Sequence, residues 1–287
     1  PAPPTSRPKS IPAWVRWACG GVGLIGVLCL ATYLLRPGDL KRVVEEAGGE
    51  ITWESQKDFI ERSWGRLTGR FDFFGIGVDL SNTQVDDKWL RRHARKIDSK
   101  SGGLFLYLSG TRLTSSSLAT LGEFETALFL SLDGTAITDE GLEHLGDLPR
   151  LQGLSINGTG VSDRGLKKIQ EFPALTSVEI DSTQFSDRGA AILRDCPNLS
   201  GLSLYDADDA SIRRLGGFSE LTCLRIVKGE VTDASIPVIS ELTQLDGLFL
   251  INSSISKRNL ALLEQALPDC TIELWSLDEN GRATRVE

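Results

Sequence analysis

The chain has 287 residues, 40% apolar and 24% charged, the profile of an ordinary folded protein and not of a collagenous or low-complexity one. Its net charge of −8 is uneven: residues 1–100 hold 16 basic and 12 acidic side chains, and residues 101–287 hold 15 and 27. So acidic a remainder argues against binding nucleic acid through its phosphates. Five dispersed cysteines with no C-x-x-C pair exclude a disulfide framework.

Residues 1–13, rich in proline and small polar side chains, read as a disordered tail. No Met occurs, the first position included, which fits removal of an initiator ahead of Pro1. Residues 14–36 read as a transmembrane helix. Within them 18–35 run ACGGVGLIGVLCLATYLL without a charge, with Trp14, Trp17 and Tyr33 near the ends, where aromatic rings favour the bilayer interface. A helix of that length rises ~27 Å against a hydrocarbon core of ~30 Å. A cleaved signal peptide, with residues 29–31 as a small-x-small site, competes with this reading, and a buried soluble helix is a third. Basic residues tie across the segment, Arg7, Lys9 and Arg16 before it against Arg36, Lys41 and Arg42 after it. A short tail ahead of a first hydrophobic segment favours tail inside, remainder outside the cytoplasm.

Residues 37–75 read as an amino-terminal cap. DLKRVVEEA makes a short helix, Gly48-Gly49 a turn and EITWE a strand, with Trp64, Phe71, Phe73 and Phe74 covering the end of the first coil. Residues 76–276 repeat. Aligned on one small residue, the copies fall at Thr83, Thr111, Thr135, Thr159, Thr183, Ala207, Gly229 and Ser253, with steps of 28, 24, 24, 24, 24, 22 and 24. Each opens L-x-x-L-x-L, as in Leu151, Leu154 and Ile156, ending on the alternation of a strand buried on one face. The aligned hydroxyl is placed to bond the backbone of its turn. A helix N-cap follows at Asp86, Thr114, Thr138, Ser162, Ser186, Asp208, Thr232 and Ser256. Four residues on comes an apolar anchor, as in Leu142, Leu166, Ile212 and Leu260. Each unit is therefore strand, turn, short helix and return, and only stacking buries its apolar side. Pro237 predicts one short, irregular helix. The ALPDCTIELW stretch is a last strand with Ile272 and Leu274 inward, and residues 277–287 read as a loose tail.

This period, this leucine spacing and the T-D-x-G-L helix start resemble the leucine-rich-repeat family, in the form found in bacterial envelope proteins and F-box proteins. The resemblance spans residues 71–276. It implies an α/β solenoid with parallel strands on the concave face and short helices on the convex one, here joined to an amino-terminal transmembrane helix. By family habit it also implies binding of a protein or peptide.

Chemistry-bearing motifs are missing from the sequence. His93 and His144 stand far from any nucleophile or ligand set, and no phosphate loop or nucleophile elbow appears. The expectation is no enzyme, no cofactor and no metal. Strand register turns Phe105, Tyr107, Phe129, Asp133, Glu179, Asp181, Tyr205, Arg225, Phe249 and Trp275 outward from the core. They read as a protein-binding surface whose acidic centre suits a basic partner, aromatics and Arg being common hot spots; the competing reading packs the aromatics on each other or on the cap. Arg91, Arg92, Arg95, Lys96 and Lys100 lie on one helix, as a solvated face or as a contact for anionic lipid headgroups. The expectation is a single-pass, membrane-anchored protein that recognises another protein through its concave face, with the repeats extracytoplasmic. The alternatives are a self-associating envelope scaffold and an adaptor resembling F-box proteins, although no F-box segment is present.

Overall fold

Eleven strands pair in strict sequence order to form one sheet. The computed structural model describes residues 39–55, 74–98, 103–181, 185–277 and 283–285. The expected tail and membrane helix, and the cap residues Trp64, Phe71 and Phe73, lie outside that set. Among the described residues no helix is long and apolar enough to cross a membrane.

The cap begins with helix α1 (Asp39–Glu46), then strand β1 (Glu50–Ser55), which runs antiparallel to β2 (Phe74–Asp79). From β2 onward every neighbour is parallel: β3 (Gly103–Tyr107), β4 (Ala127–Ser131), β5 (Gly153–Ser155), β6 (Ser177–Asp181), β7 (Gly201–Tyr205), β8 (Cys223–Val227), β9 (Gly247–Ile251) and β10 (Thr271–Leu277). Between them run short helices: α2 (Asp87–Ile97), α3 (Leu118–Leu121), α4 (Asp139–Leu142), α5 (Asp163–Ile169), α6 (Asp187–Arg194), α7 (Asp209–Arg213), α8 (Ile236–Ser240) and α9 (Lys257–Ala266). The expected loose tail is corrected in part: Ala283–Arg285 forms β11, antiparallel to β10, with Trp275 opposite Arg285.

The apolar series of each coil forms one continuous core. Leu151, Leu154 and Ile156, then Leu175, Val178 and Ile180, then Leu199, Leu202 and Leu204 are all buried. Removing that surface from water between stacked coils is the main stabilising term, since no coil buries it alone. Ile272 and Leu274 pack against the core half-buried.

Three backbone devices recur along the described coils. In the turn that follows the strand, the residue ahead of the aligned small residue is left-handed: Asn82, Asp206, Lys228 and Asn252 have φ of 58°, 51°, 54° and 59°, and Gly134 and Gly158 have 62°. The next residue closes the turn, and the hydroxyls of Thr83, Thr111 and Thr159 donate to the carbonyls of Leu80, Leu108 and Ile156 at 2.7 Å. All eight expected cap residues stand at helix N-caps, and seven accept a backbone N–H. Thr138 is the exception: its hydroxyl donates to Glu140 and caps no N–H. Pro237 sits at the start of the five-residue α8, behind a 3-10 turn at Asp233–Ser235, where its missing N–H costs nothing.

The Asp that follows the cap joins one coil to the next. Asp87 accepts from the N–H and hydroxyl of Thr114, Asp139 from those of Ser162 and Asp209 from those of Thr232. Asp163 accepts from the Ser186 hydroxyl and Asp233 from the Ser256 N–H. The capping residue therefore gives its hydroxyl proton backward and its oxygen lone pair forward. The short coil breaks the pattern: Asp187 meets Arg214 there.

A candidate recognition surface on the strand face

The parallel register places the outward residues in rows across the sheet. One row runs Tyr107, Ser131, Ser155, Glu179, Ser203, Arg225, Phe249, Glu273, each paired with the next. Asp181 and Tyr205 pair in the row beside it, where Ile251 and Trp275 also pair. Phe105 and Phe129 pair in the row on the other side. Aromatic groups therefore stand toward both ends, with a polar and charged centre between them.

Of the two readings of the phenylalanines, their burial follows the one that packs aromatics on each other. Phe105, Phe129 and Phe249 are 1%, 3% and 5% exposed. With Leu128 and Cys223 they make a second apolar cluster, against which Tyr107 packs, its ring 5.5 Å from that of Phe129. Glycine is part of the physical reason. A Cβ on Gly153 would lie 2.7 Å from the Phe129 ring, and one on Gly247 would lie 2.9 Å from the Phe249 ring. Each ring lies down over a bare stretch of backbone and does not stand up from the sheet. One extra residue in β4 also bends that strand at Leu128 and turns this leucine to the same side. Tyr107, Asp133, Asp181, Tyr205, Arg225 and Trp275 are half-buried and keep part of their surface available.

The polar centre is a connected network. The Ser155 hydroxyl donates to Asp133 Oδ1 at 2.7 Å, and the Asn157 N–H reaches the same oxygen at 2.9 Å. Asn157 Nδ2 donates to Ser155 Oγ at 3.1 Å. Tyr205 Oη donates to Glu179 Oε2 at 3.2 Å, and Ser155 Oγ lies 3.5 Å from that oxygen. Asp181 Oδ2 accepts the Gly158 N–H at 2.8 Å. Two buried atoms, Asn157 Oδ1 and Ser203 Oγ, have no hydrogen-bond partner among the described residues.

Burial shapes the charges. Glu179 is 5% exposed, and desolvation raises its carboxyl pKa to about 7, the Asp133 charge adding to the rise while Arg225 and the hydrogen bonds oppose it. Desolvation also raises Asp133, against its bonds to Ser155 and Asn157. Burial pushes the Tyr205 hydroxyl and the Cys223 thiol up, so both stay protonated at neutral pH. Among the described residues the charges acting on Glu179 are the Asp133 carboxylate and the Arg225 guanidinium, with Asp181 two residues along the same strand.

The sequence reading singled out Glu179 and Asp133 but passed over Ser155, Asn157 and Ser203, which connect or flank them. The signal for Ser155 and Ser203 was the repeat period itself, since each lies 24 residues from Glu179. His93 bonds the Trp89 carbonyl through Nδ1 at 2.8 Å and stacks on that ring, a packing role. Among the described residues no group of His, Cys, Asp and Glu is placed to hold a metal ion.

Sequential parallel strands, left-handed exits and short capped helices define a leucine-rich-repeat solenoid, and the chain is a leucine-rich-repeat protein by architecture. No family model matches the chain, and no curated protein does. Similar solved structures include internalin C2 from Listeria monocytogenes, at 20% identity and a TM-score of 0.42, over 69% of this chain and 80% of that one. A protein from Bacteroides fragilis matches at 16% identity and 0.44, over 65% and 59%. A leucine-rich-repeat protein from Leptospira interrogans matches at 20% and 0.29, over 59% and 36%. The strand and helix geometry of this chain, not these likenesses, defines its class.

Proposed function

We propose that the protein is a recognition module whose strand face binds a basic segment of another protein, with no bond made or broken. The observation that carries this reading is the charge imbalance at the centre of the sheet. Among the described residues the carboxyls of Asp133, Glu179 and Asp181 outnumber the Arg225 guanidinium on this part of the face, and burial holds a proton on part of the Glu179 population at neutral pH. An incoming Lys or Arg would favour the ionised form of Glu179 and be held by it. Tyr107 and Trp275 supply aromatic contact at the margins and Tyr205 at the centre, where a polar tip and an apolar body both serve. A scaffold that only spaced or self-associated would gain nothing from this arrangement.

Peptide display against the full chain tests the reading. Enriched peptides are expected to carry Lys or Arg next to apolar residues, and the variant Glu179→Gln with Asp181→Asn, which keeps the hydrogen-bond acceptors, should weaken their capture about tenfold. Enrichment without basic residues, or capture unchanged in the variant, would overturn it.

Membrane attachment through residues 14–36, with the repeats outside the cytoplasm, belongs to the same proposal. Its support is the uncharged 18–35 stretch with its flanking aromatics. Alkaline carbonate extraction and protease access in intact cells test it. Release into the soluble fraction would remove the anchor, and protection of the repeats until lysis would reverse the orientation.

A further inference from the structure

Helix α2 differs from the other helices of the solenoid in its charge. Lys88, Arg91, Arg92, Arg95 and Lys96 are all exposed and follow one another at i, i+3, i+4, i+7 and i+8, one stripe along the helix. The stripe is ~12 Å long at 1.5 Å per residue. The opposite side of α2 buries Leu90, Ala94 and Ile97 in the core, which fixes the stripe toward solvent.

None of these five cations has a salt bridge among the described residues, although acids stand at both ends of the helix. Each of those acids is already engaged. Asp86 accepts the Trp89 N–H as N-cap, Asp87 accepts the Thr114 N–H and hydroxyl, and Asp98 accepts the Thr126 hydroxyl. The following convex elements, Ser115–Ser117 and α3, read SSSLATL and contain no charge. Five like charges at this spacing repel one another within the helix. The fold neither neutralises them nor disperses them.

We infer that α2 is a docking surface for an anionic lipid headgroup layer. Two observations favour a lipid layer over other polyanions. The stripe belongs to the first of the solenoid helices, while residues 101–287 carry 27 acidic against 15 basic side chains, so a long nucleic acid following the convex face would soon meet repulsion. A planar surface touching only the amino-terminal end avoids it. The same chain also carries the uncharged 18-residue stretch that suits a bilayer core. The inference leans on the membrane part of the proposed function for its choice of surface and is independent of recognition by the strand face.

The test reconstitutes the full chain into vesicles of phosphatidylcholine alone and into vesicles in which part of it is replaced by phosphatidylserine. Amide hydrogen exchange is then read in the peptide covering α2. This readout distinguishes α2 docking from attachment through residues 14–36, which would hold the protein on both vesicles alike. Exchange in α2 should slow on the anionic vesicles only, the effect should vanish at high salt, and it should be absent in R91Q/R92Q/R95Q/K96Q. Near such a surface each cation contributes on the order of fivefold in affinity, so losing four abolishes the effect. The variant's exchange in α5 and α6 should match the wild type, showing an intact solenoid. Equal α2 exchange on both vesicles, or a lipid effect that survives in the variant, would overturn the inference. So would equal slowing of α2 exchange by the same phosphate concentration of duplex DNA on phosphatidylcholine vesicles, which would make the partner a nucleic acid.

Discussion

Asp139 of one coil holds Ser162 of the next, accepting its backbone N–H at 2.7 Å and its hydroxyl at 2.6 Å. The same carboxylate accepts the Gly165 N–H at 3.0 Å, so one side chain satisfies two backbone donors across a seam between coils. Helix starts leave such donors without partners inside the helix. Asp139→Ala should therefore cost about 1–2 kcal/mol, the size of a lost cap. Asp187→Ala should cost under about 0.5 kcal/mol, since Asp187 makes an exposed pair with Arg214 in the short coil. Urea unfolding of the two variants checks the contrast. Equal losses would show that the seam bond adds nothing to an ordinary surface pair.

Gly165 has a packing role at the same seam. A Cβ there would lie 2.5 Å from Asp139 Oδ1 and 2.9 Å from Val161 Cγ1. Gly165→Ala should destabilise by about 1–2 kcal/mol through crowding. In the Asp139→Ala background the part of that loss owed to the displaced oxygen should disappear, leaving the part owed to Val161. A double-mutant cycle that came out additive would refute the contact as the cause.

Lys228 sits at φ 54°, in a conformation that the equivalent Gly134 and Gly158 adopt without cost. Lys228→Asn keeps a polar side chain that tolerates the left-handed region and should raise stability by a few tenths to about 1 kcal/mol. The melting temperature reports this directly. A melting point that stays level or falls would mean that the strain is released elsewhere in that coil.

Glu179 gives the protein a pH dependence of unusual sign. Its folded carboxyl titrates at about 7 because burial disfavours the charge, whereas the unfolded one titrates near 4.5. Between those values the folded state binds a proton that the unfolded state does not, so this group's contribution falls as pH rises from about 4.5 to 7 and then levels off. The carboxylates of Asp208, a helix cap, and Asp233, which holds the next coil, are lowered by the N–H groups of Ser211 and Ser256 and act in the opposite direction at lower pH. Glu179→Gln should remove the fall between pH 5 and 8, a difference on the order of 2 kcal/mol between variant and wild type across that range. Parallel stability curves for the two proteins in that window would contradict the buried, protonated carboxyl.

The architecture was legible in the sequence because the apolar period is long-range and redundant. Leu154, Val178 and Leu202 announce the same buried position three times over, and each is fully buried. Caps were legible for a similar reason: few residue types serve there, and they recur at Ser162, Ser186 and Ser256. The Asp beside six of the eight caps was visible in the sequence, yet its bond to the next coil was not, since that bond exists only once the coils have stacked. Exposure on the strand face was the weakest inference. Alternation gives the side of the sheet on which Phe129 and Phe249 lie, but whether a ring stands up or lies over Gly153 or Gly247 depends on the neighbouring strand. The network around Asp133 and Glu179 was half visible, its charges standing out and its connecting serines resembling ordinary strand filler.

The reversed strands at the two extremities have a further consequence. A stack of like-oriented strands is an open-ended template, and any copy of the same coil can be added in register to its last member. Here β1 and β11 run against the grain of the parallel strands between them, so a further coil laid beside either would not meet the parallel register that joins β2 to β10. Lengthening the parallel stack in its own register therefore calls for splicing a new 24-residue unit into an internal seam, for instance between the turns at Thr135 and Thr159.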